Sequence, residues 1–258
     1  MLRGLLRPKW ILIHVGVAAL VVLMVNLAFW QLRRLDEKRT FNRTVISRSE
    51  MPVEEIDRAT GADSRPQDFL PATHEWRRVT VRGTYHFEKA VRVVNRSQDG
   101  TAGWDQVVPL LTEKHGWVIV NRGFIPLSRT FSGTLPPDPV TVMGYLRVTQ
   151  TRGTLGAVDS TDITNKDFQR FDIPLMARQL DGTVFPMYLQ LLEESPSTIT
   201  GWPAPVSFPE LSEGPHKSYA FQWFFFSLVA LAAWAVVIRR KWRGDSAVTP
   251  PTPARTSA

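Results

Sequence analysis

The chain has 258 residues, 43% of them hydrophobic, a formal net charge of +7 and no cysteine. The missing thiol excludes disulfides, thiolate metal sites, covalent haem attachment through CxxCH and cysteine nucleophiles, so any folded domain must stand on its core. The positive charge does not point to nucleic acid. Arg3, Arg7 and Lys9 at one end, and Arg239, Arg240, Lys241, Arg243 and Arg255 against Asp245 at the other, supply all of it, leaving residues 31–238 neutral overall.

After a short basic tail (1–10), residues 11–30 read ILIHVGVAALVVLMVNLAFW, uncharged and free of proline. About 20 such residues, at about 1.5 Å each, span a hydrocarbon core. The run is longer than the roughly 7–15 residues of a signal-peptide core and no small-x-small cleavage site follows, so it reads as a retained anchor. The next stretch, 31–49, spaces Leu32, Leu35 and Arg39 for one helical face and extends the helix beyond the membrane. Gln31 and Arg34 lie one turn apart, able to face one partner helix or to anchor the helix at the interface.

Residues 50–210 form a β-rich domain. GADSRPQDFLPATHEW (61–76) carries the Pro, Asp and Gly signals of an exposed loop. Six β-prone runs follow: WRRVTVRGTY, AVRVVN, WDQVVPLL, WVIVNRGFI, VTVMGYLRV and FPMYLQLL, with FDIPLMARQL placed for one short helix before the last. Alternation such as Val140/Val142 and Leu146/Val148 suits strands with one buried face, and the punctuation predicts an antiparallel sandwich or partly open barrel.

A second uncharged run, 219–238, predicts a second span, followed by a basic and then Pro-rich tail (239–258) with the composition of disordered chain. Two spans place both tails on one side. The positive-inside rule puts them in the cytoplasm and the middle domain outside, although Arg33, Arg34, Lys38, Arg39 and Arg43 follow the first span and weigh the other way. With no transit segment ahead of residue 11, the expected location is a bacterial cell membrane.

No nucleophile elbow, P-loop, zinc-protease helix or dinucleotide fingerprint is present, so nothing nominates an enzyme. His74, His86 and His115 lack companions at metal-ligand spacing and read as hydrogen-bonded loop residues. Glu193 and Glu194, adjacent on a strand, point to opposite faces and form no acid/base pair. His216 stands at the mouth of the second span. Its imidazole is a competent axial ligand for haem iron, with Tyr219, Trp223 and Phe224 as an aromatic wall, but His, Lys, Tyr and Trp at a span entrance also make an ordinary interfacial belt. His14, near the start of the other, antiparallel span, lies at the opposite membrane face about 30 Å away and cannot be a second ligand.

Five separated pieces together resemble one family. FWQLRRLDEKR (29–39) is similar to a W-Q-x-x-R-x-x-x-K signature, WVIVNRGFIP (117–126) to a V-N-R-G-[WF]-[VI]-P core, GYLR and PMYLQL to later strands, and His216 with YAFQWF (219–224) to a second-span entrance. These resemble the Surfeit locus protein family of cytochrome c oxidase assembly factors over about residues 10–243. The resemblance implies two spans, an outer domain and a part in building the haem a and copper subunit of the oxidase. It also implies haem a binding through the histidine at the second-span entrance, here His216. The family's Asn before that histidine is replaced, because Gly214 and Pro215 precede it. For Asn121 and Arg122 the resemblance leaves two roles: a recognition loop for the oxidase, with Arg122 meeting a haem propionate or a partner carboxylate, or a structural turn with a salt bridge inside the domain. Two functions follow. One is an assembly factor presenting haem a to the catalytic subunit. The other is a non-catalytic accessory subunit docked on the finished oxidase, other respiratory subunits or their supercomplex.

Overall fold

All six β-prone runs form strands in a computed structural model that describes residues 7–60, 70–131 and 135–246. Residues 1–6, the part of the expected loop from 61 to 69, and the Pro-rich tail from 247 lie outside the described residues. The chain divides into two units, residues 1–43 with 211–258, and residues 44–210.

The first unit is built from two helices. Helix α1 runs unbroken from Pro8 to Ser49, so the helix does continue past the apolar segment. The last helix, α5, spans His216–Ser246. No proline interrupts either one, and their apolar windows are almost wholly unburied by protein, as side chains facing lipid must be.

The second unit holds an eight-stranded sheet: β1 (Glu54–Glu55), β2 (Arg78–Tyr85), β3 (Val91–Gln98), β4 (Thr101–Thr112), β5 (Gly116–Pro126), β6 (Val140–Val148), β7 (Asp167–Phe168) and β8 (Val184–Ser195). Strands β2, β6, β8, β5 and β4 follow one another edge to edge, and β4 returns to β2 through Thr84/Leu111 and Tyr85/Leu110, closing a five-stranded barrel. The ring is mixed and not wholly antiparallel, because β5 and β8 run parallel. The long excursion between β5 and β8, through β6 and β7, makes that parallel return possible. The short helices α2 (Ile56–Thr60) and α3 (Pro71–His74) precede the barrel, and α4 (Ile173–Ala177) falls inside the run expected to be helical. Asp172 caps α4, its carboxylate accepting the Leu175 N–H at 3.1 Å.

Two apolar clusters follow from strand parity. Val79, Val81, Val108, Leu110, Val118, Val120, Val142, Leu146, Met187 and Leu189 fill the barrel. On the outer face of β4, β5 and β8, a second cluster gathers Val93, Val107, Ile119, Phe168, Phe171, Ile173, Met176 and Tyr188, with Phe171 stacked on Tyr188 at 4.2 Å. Strand β5 is therefore covered on both faces, which is why WVIVNRGFI reads as a continuous apolar run.

Candidate functional site

Within the first unit, α1 buries positions spaced alternately four and three apart. Trp10, His14, Val17, Val21 and Met24 are half-buried, and Ala28, Gln31 and Leu35 are buried. On α5, His216, Ala220, Trp223, Ser227, Ala230 and Trp234 repeat the pattern. This is heptad spacing, which keeps one seam of each helix turned to the other. The helices run antiparallel: Trp10 and His14 meet Trp234, with His14 edge-on at 4.8 Å, while Phe29 meets Phe224 edge-on at 5.5 Å. His14 and His216 thus sit at opposite ends of the seam. Small side chains are buried along it, Ala28 at 0% and Ala220 at 2% one turn from the His216 end, and Ser227 at 5% exposure nearer the middle.

At its upper end the seam closes on a polar pair. His216 Nδ1 lies 2.8 Å from Gln31 Oε1. With the amide oxygen accepting from Nδ1–H, a neutral imidazole carries its lone pair on Nε2. Farther along α1, three further bonds fasten the chain, two from Arg39 to the two carboxylate oxygens of Glu213 at 2.7 and 2.9 Å, and one from Asn42 Nδ2 to the Leu211 carbonyl at 2.7 Å. The hydrogen bond from Arg39 holds the Glu213 carboxyl below its usual range. Gly214 adopts φ +66°, a conformation that favours glycine, and a Cβ there would stand in ordinary van der Waals contact with His216 Nε2 at 3.6 Å.

The expected site residues are thus partly gathered and partly separated. Gln31 and His216, expected in different roles, share one hydrogen bond. Trp223 lies two turns from His216 on the same seam, whereas Tyr219 is 45% exposed. Arg34 does not share a partner with Gln31: its guanidinium is half exposed and bonds Glu37 on its own helix at 2.6 Å.

Asn121 and Arg122 belong to the second unit and lie within β5, buried at 2% and 1%, not in a loop. Arg122 shares the parity of Val118 and Val120 and enters the barrel, where it bonds Glu194 at 2.5 and 3.2 Å with Tyr85, Phe87 and Phe131 around its cationic carbon at 5.0–5.7 Å. Glu193 and Glu194 do point apart, but a bulge in the β6–β8 pairing decides which goes in: Met143 pairs Glu193 and Gly144 pairs Leu191, so Leu192 is extra and Glu194 turns inward. Asn121 Oδ1 accepts the Gly123 N–H at 3.0 Å, while its amide nitrogen reaches Asp105 at 3.3 Å. Gly123, at φ +135°, lets Ala204 approach to exchange two backbone hydrogen bonds with Phe124; a side chain would strike the Ala204 carbonyl. The V-N-R-G-F motif is thus a structural knot of the barrel, and Arg122 is spoken for by Glu194.

The remaining histidines are engaged inside the domain. His86 Nδ1 meets Glu88 at 2.7 Å, and His115 Nε2 pairs with Asp57, whose carboxylate also lies 3.1 Å from Lys114 Nζ. That pair lines a groove of about 780 Å³ along β2, bounded also by Glu55, Arg82 and Thr141. Burial holds His74 below its usual value, assisted by Arg77. Among the described residues no cluster of His, Asp and Glu has the makings of a metal site.

The chain matches the model of the SURF1 family over residues 18–228. It is similar to uncharacterized SURF1-like proteins of Mycobacterium bovis and Mycobacterium tuberculosis, at 29% identity over 271 residues, covering 97% of this chain and 92% of each relative. The matched region takes in β2–β8, the Gln31 helix segment and His216.

Proposed function

The chain belongs to the SURF1 family of cytochrome c oxidase assembly factors, and from that premise we propose that it carries haem a as cargo for the oxidase catalytic subunit, with His216 as the protein's ligand to the iron. The single observation that supports this is the Gln31–His216 hydrogen bond at 2.8 Å. Metal-ligating histidines are oriented by a bond to their second nitrogen, and here that bond fixes the ring and leaves Nε2 available beside an open Gly214. Trp223 and Tyr219 offer aromatic surface for the macrocycle, and the mouth of an apolar span suits a largely apolar porphyrin. An axial imidazole supplies electron density to the iron; the chain's own part is to hold, orient and release the cargo.

In this reading the helices span a bacterial cell membrane with both tails in the cytoplasm. The middle domain lies outside. Arg34 and the aromatic outer surfaces of the helices remain for contact with oxidase subunits.

The test is purification of the full-length protein in detergent from cells making haem a, followed by an absorption spectrum of the wild type and of His216→Ala. A haem a spectrum that disappears in the variant, at unchanged membrane abundance, supports the cargo role. Wild-type protein that contains no haem yet copurifies with the finished oxidase at constant stoichiometry overturns it in favour of the accessory subunit.

A further inference from the structure

Beyond the haem role, the outward face of α1 carries a second heptad stripe. Leu12, Val15 and Val22 are exposed at 73%, 61% and 60%, and Ala19 and Asn26 are exposed with them. At about 100° per residue these five positions share one side of the helix, opposite the seam that faces α5. Asn26 is the polar member of this stripe. It lies four residues inside Trp30, about 6 Å into the apolar segment, and its Nδ2 donates to the Val22 carbonyl at 2.8 Å.

That bond and the chain direction fix where the amide can go. Helical side chains lean toward the helix N-terminus, which for Asn26 is toward the membrane centre. Gln222 on α5 is also exposed, but its helix runs the other way, so its longer side chain leans toward the span entrance and water. Asn26 has no such escape. One N–H and the carbonyl oxygen remain to be satisfied where water is absent, a cost that a neighbouring helix removes.

We propose that this stripe is a dimerisation surface and that its occupant is a second copy of the same chain, packed parallel through Leu12, Val15, Ala19, Val22 and Asn26. Two copies inserted in one orientation bring identical residues to identical depth, so Asn26 meets Asn26 about a two-fold axis. Each amide has one N–H for its own Val22 carbonyl and one for the other copy's Oδ1, so the pair is fully satisfied. A helix from another protein would have to bring a polar side chain to this depth; a second copy carries one already. A single Asn in an apolar heptad stripe also fixes register, since a slip of one turn leaves both amides in hydrocarbon.

The cysteine-free sequence provides the test. Single-cysteine variants of the full-length protein are oxidised in native membranes with copper phenanthroline. Val15→Cys, Ala19→Cys and Val22→Cys should yield disulfide-linked homodimers, and Val17→Cys and Leu20→Cys should not. Asn26→Leu added to Val22→Cys should lower the dimer yield about three- to tenfold, while Asn26→Gln restores it. Yields that ignore helical phase, adducts of Val22→Cys formed only with other proteins, or a yield untouched by Asn26→Leu would each overturn the proposal.

Discussion

Gln31 and His216 are 185 positions apart in sequence and 2.8 Å apart in space, the carboxamide of one helix meeting the imidazole of the other. The amide determines which ring nitrogen is free. Replacing Gln31 by Leu should therefore weaken haem a binding about 10–100-fold without removing the ligand, whereas His216→Ala should abolish binding and His14→Ala should leave it intact. Haem titration of the detergent-solubilised variants, followed by absorption, checks all three. Gly214→Val should also weaken binding, by filling the space beside Nε2.

The Arg122–Glu194 pair is enclosed in the barrel at 0% and 1% side-chain exposure. Arg122→Leu strands a buried carboxylate and should cost about 3–5 kcal/mol. The double variant Arg122→Met, Glu194→Leu should recover most of that loss, because replacing both charges removes the desolvation cost together with the attraction. Denaturant melts of the full-length protein in detergent give the comparison. A recognition role for Arg122 instead predicts normal melts and impaired oxidase assembly.

Burial holds the Asp105 carboxyl above its ordinary value, against the pull of Arg96 at 3.5 Å and the Asn121 amide. A raised carboxyl pKa means that the folded state binds the proton more tightly than the unfolded chain. Ionised Asp105 thus opposes folding at neutral pH, and the opposition fades as pH falls through the folded-state value toward the ordinary one. Asp105→Asn should be more stable than wild type at pH 7, with the difference shrinking on acidification. Thermal melts across that range read the sign directly.

Orientation is tested with reporters. One fused after Arg243 should be active only in its cytoplasmic form, and one inserted near Ser64 only in its exported form. The opposite pattern would place His216 at the inner face.

Much of the fold was legible because it depends on local pattern. Strand runs such as VTVMGYLRV alternate in register with their burial, and the spans announce themselves by length and lack of charge. The inward turn of Glu194 was not legible, because one extra residue opposite β6 resets the parity and nothing in LLEES marks it. The parallel β5–β8 pairing escaped for a similar reason: strand composition does not encode direction. The Gln31–His216 contact depends on the relative register of two distant helices. Its signal was nevertheless present, since Ala28, Gln31 and Leu35 on one helix and His216, Ala220 and Trp223 on the other keep heptad spacing. The Asn121-Arg122-Gly123 triplet left two roles open in the sequence, and the salt bridge inside the domain is the one the structure contains; its place within a strand was not legible, because the partner that holds Arg122 inside, Glu194, is 72 residues away.

The distance in sequence between Gln31 and His216 also orders events during synthesis. The first helix is inserted, and the whole barrel made, before the ribosome reaches the histidine. Until α5 lies alongside α1, the imidazole has no partner and its tautomer is unset. A truncated chain, or one whose second helix fails to insert, lacks the pair altogether. Under the proposed cargo role, readiness to accept haem is in this way deferred until the last helix is in place, and a half-made protein lacks the oriented imidazole that the proposal assigns to the iron.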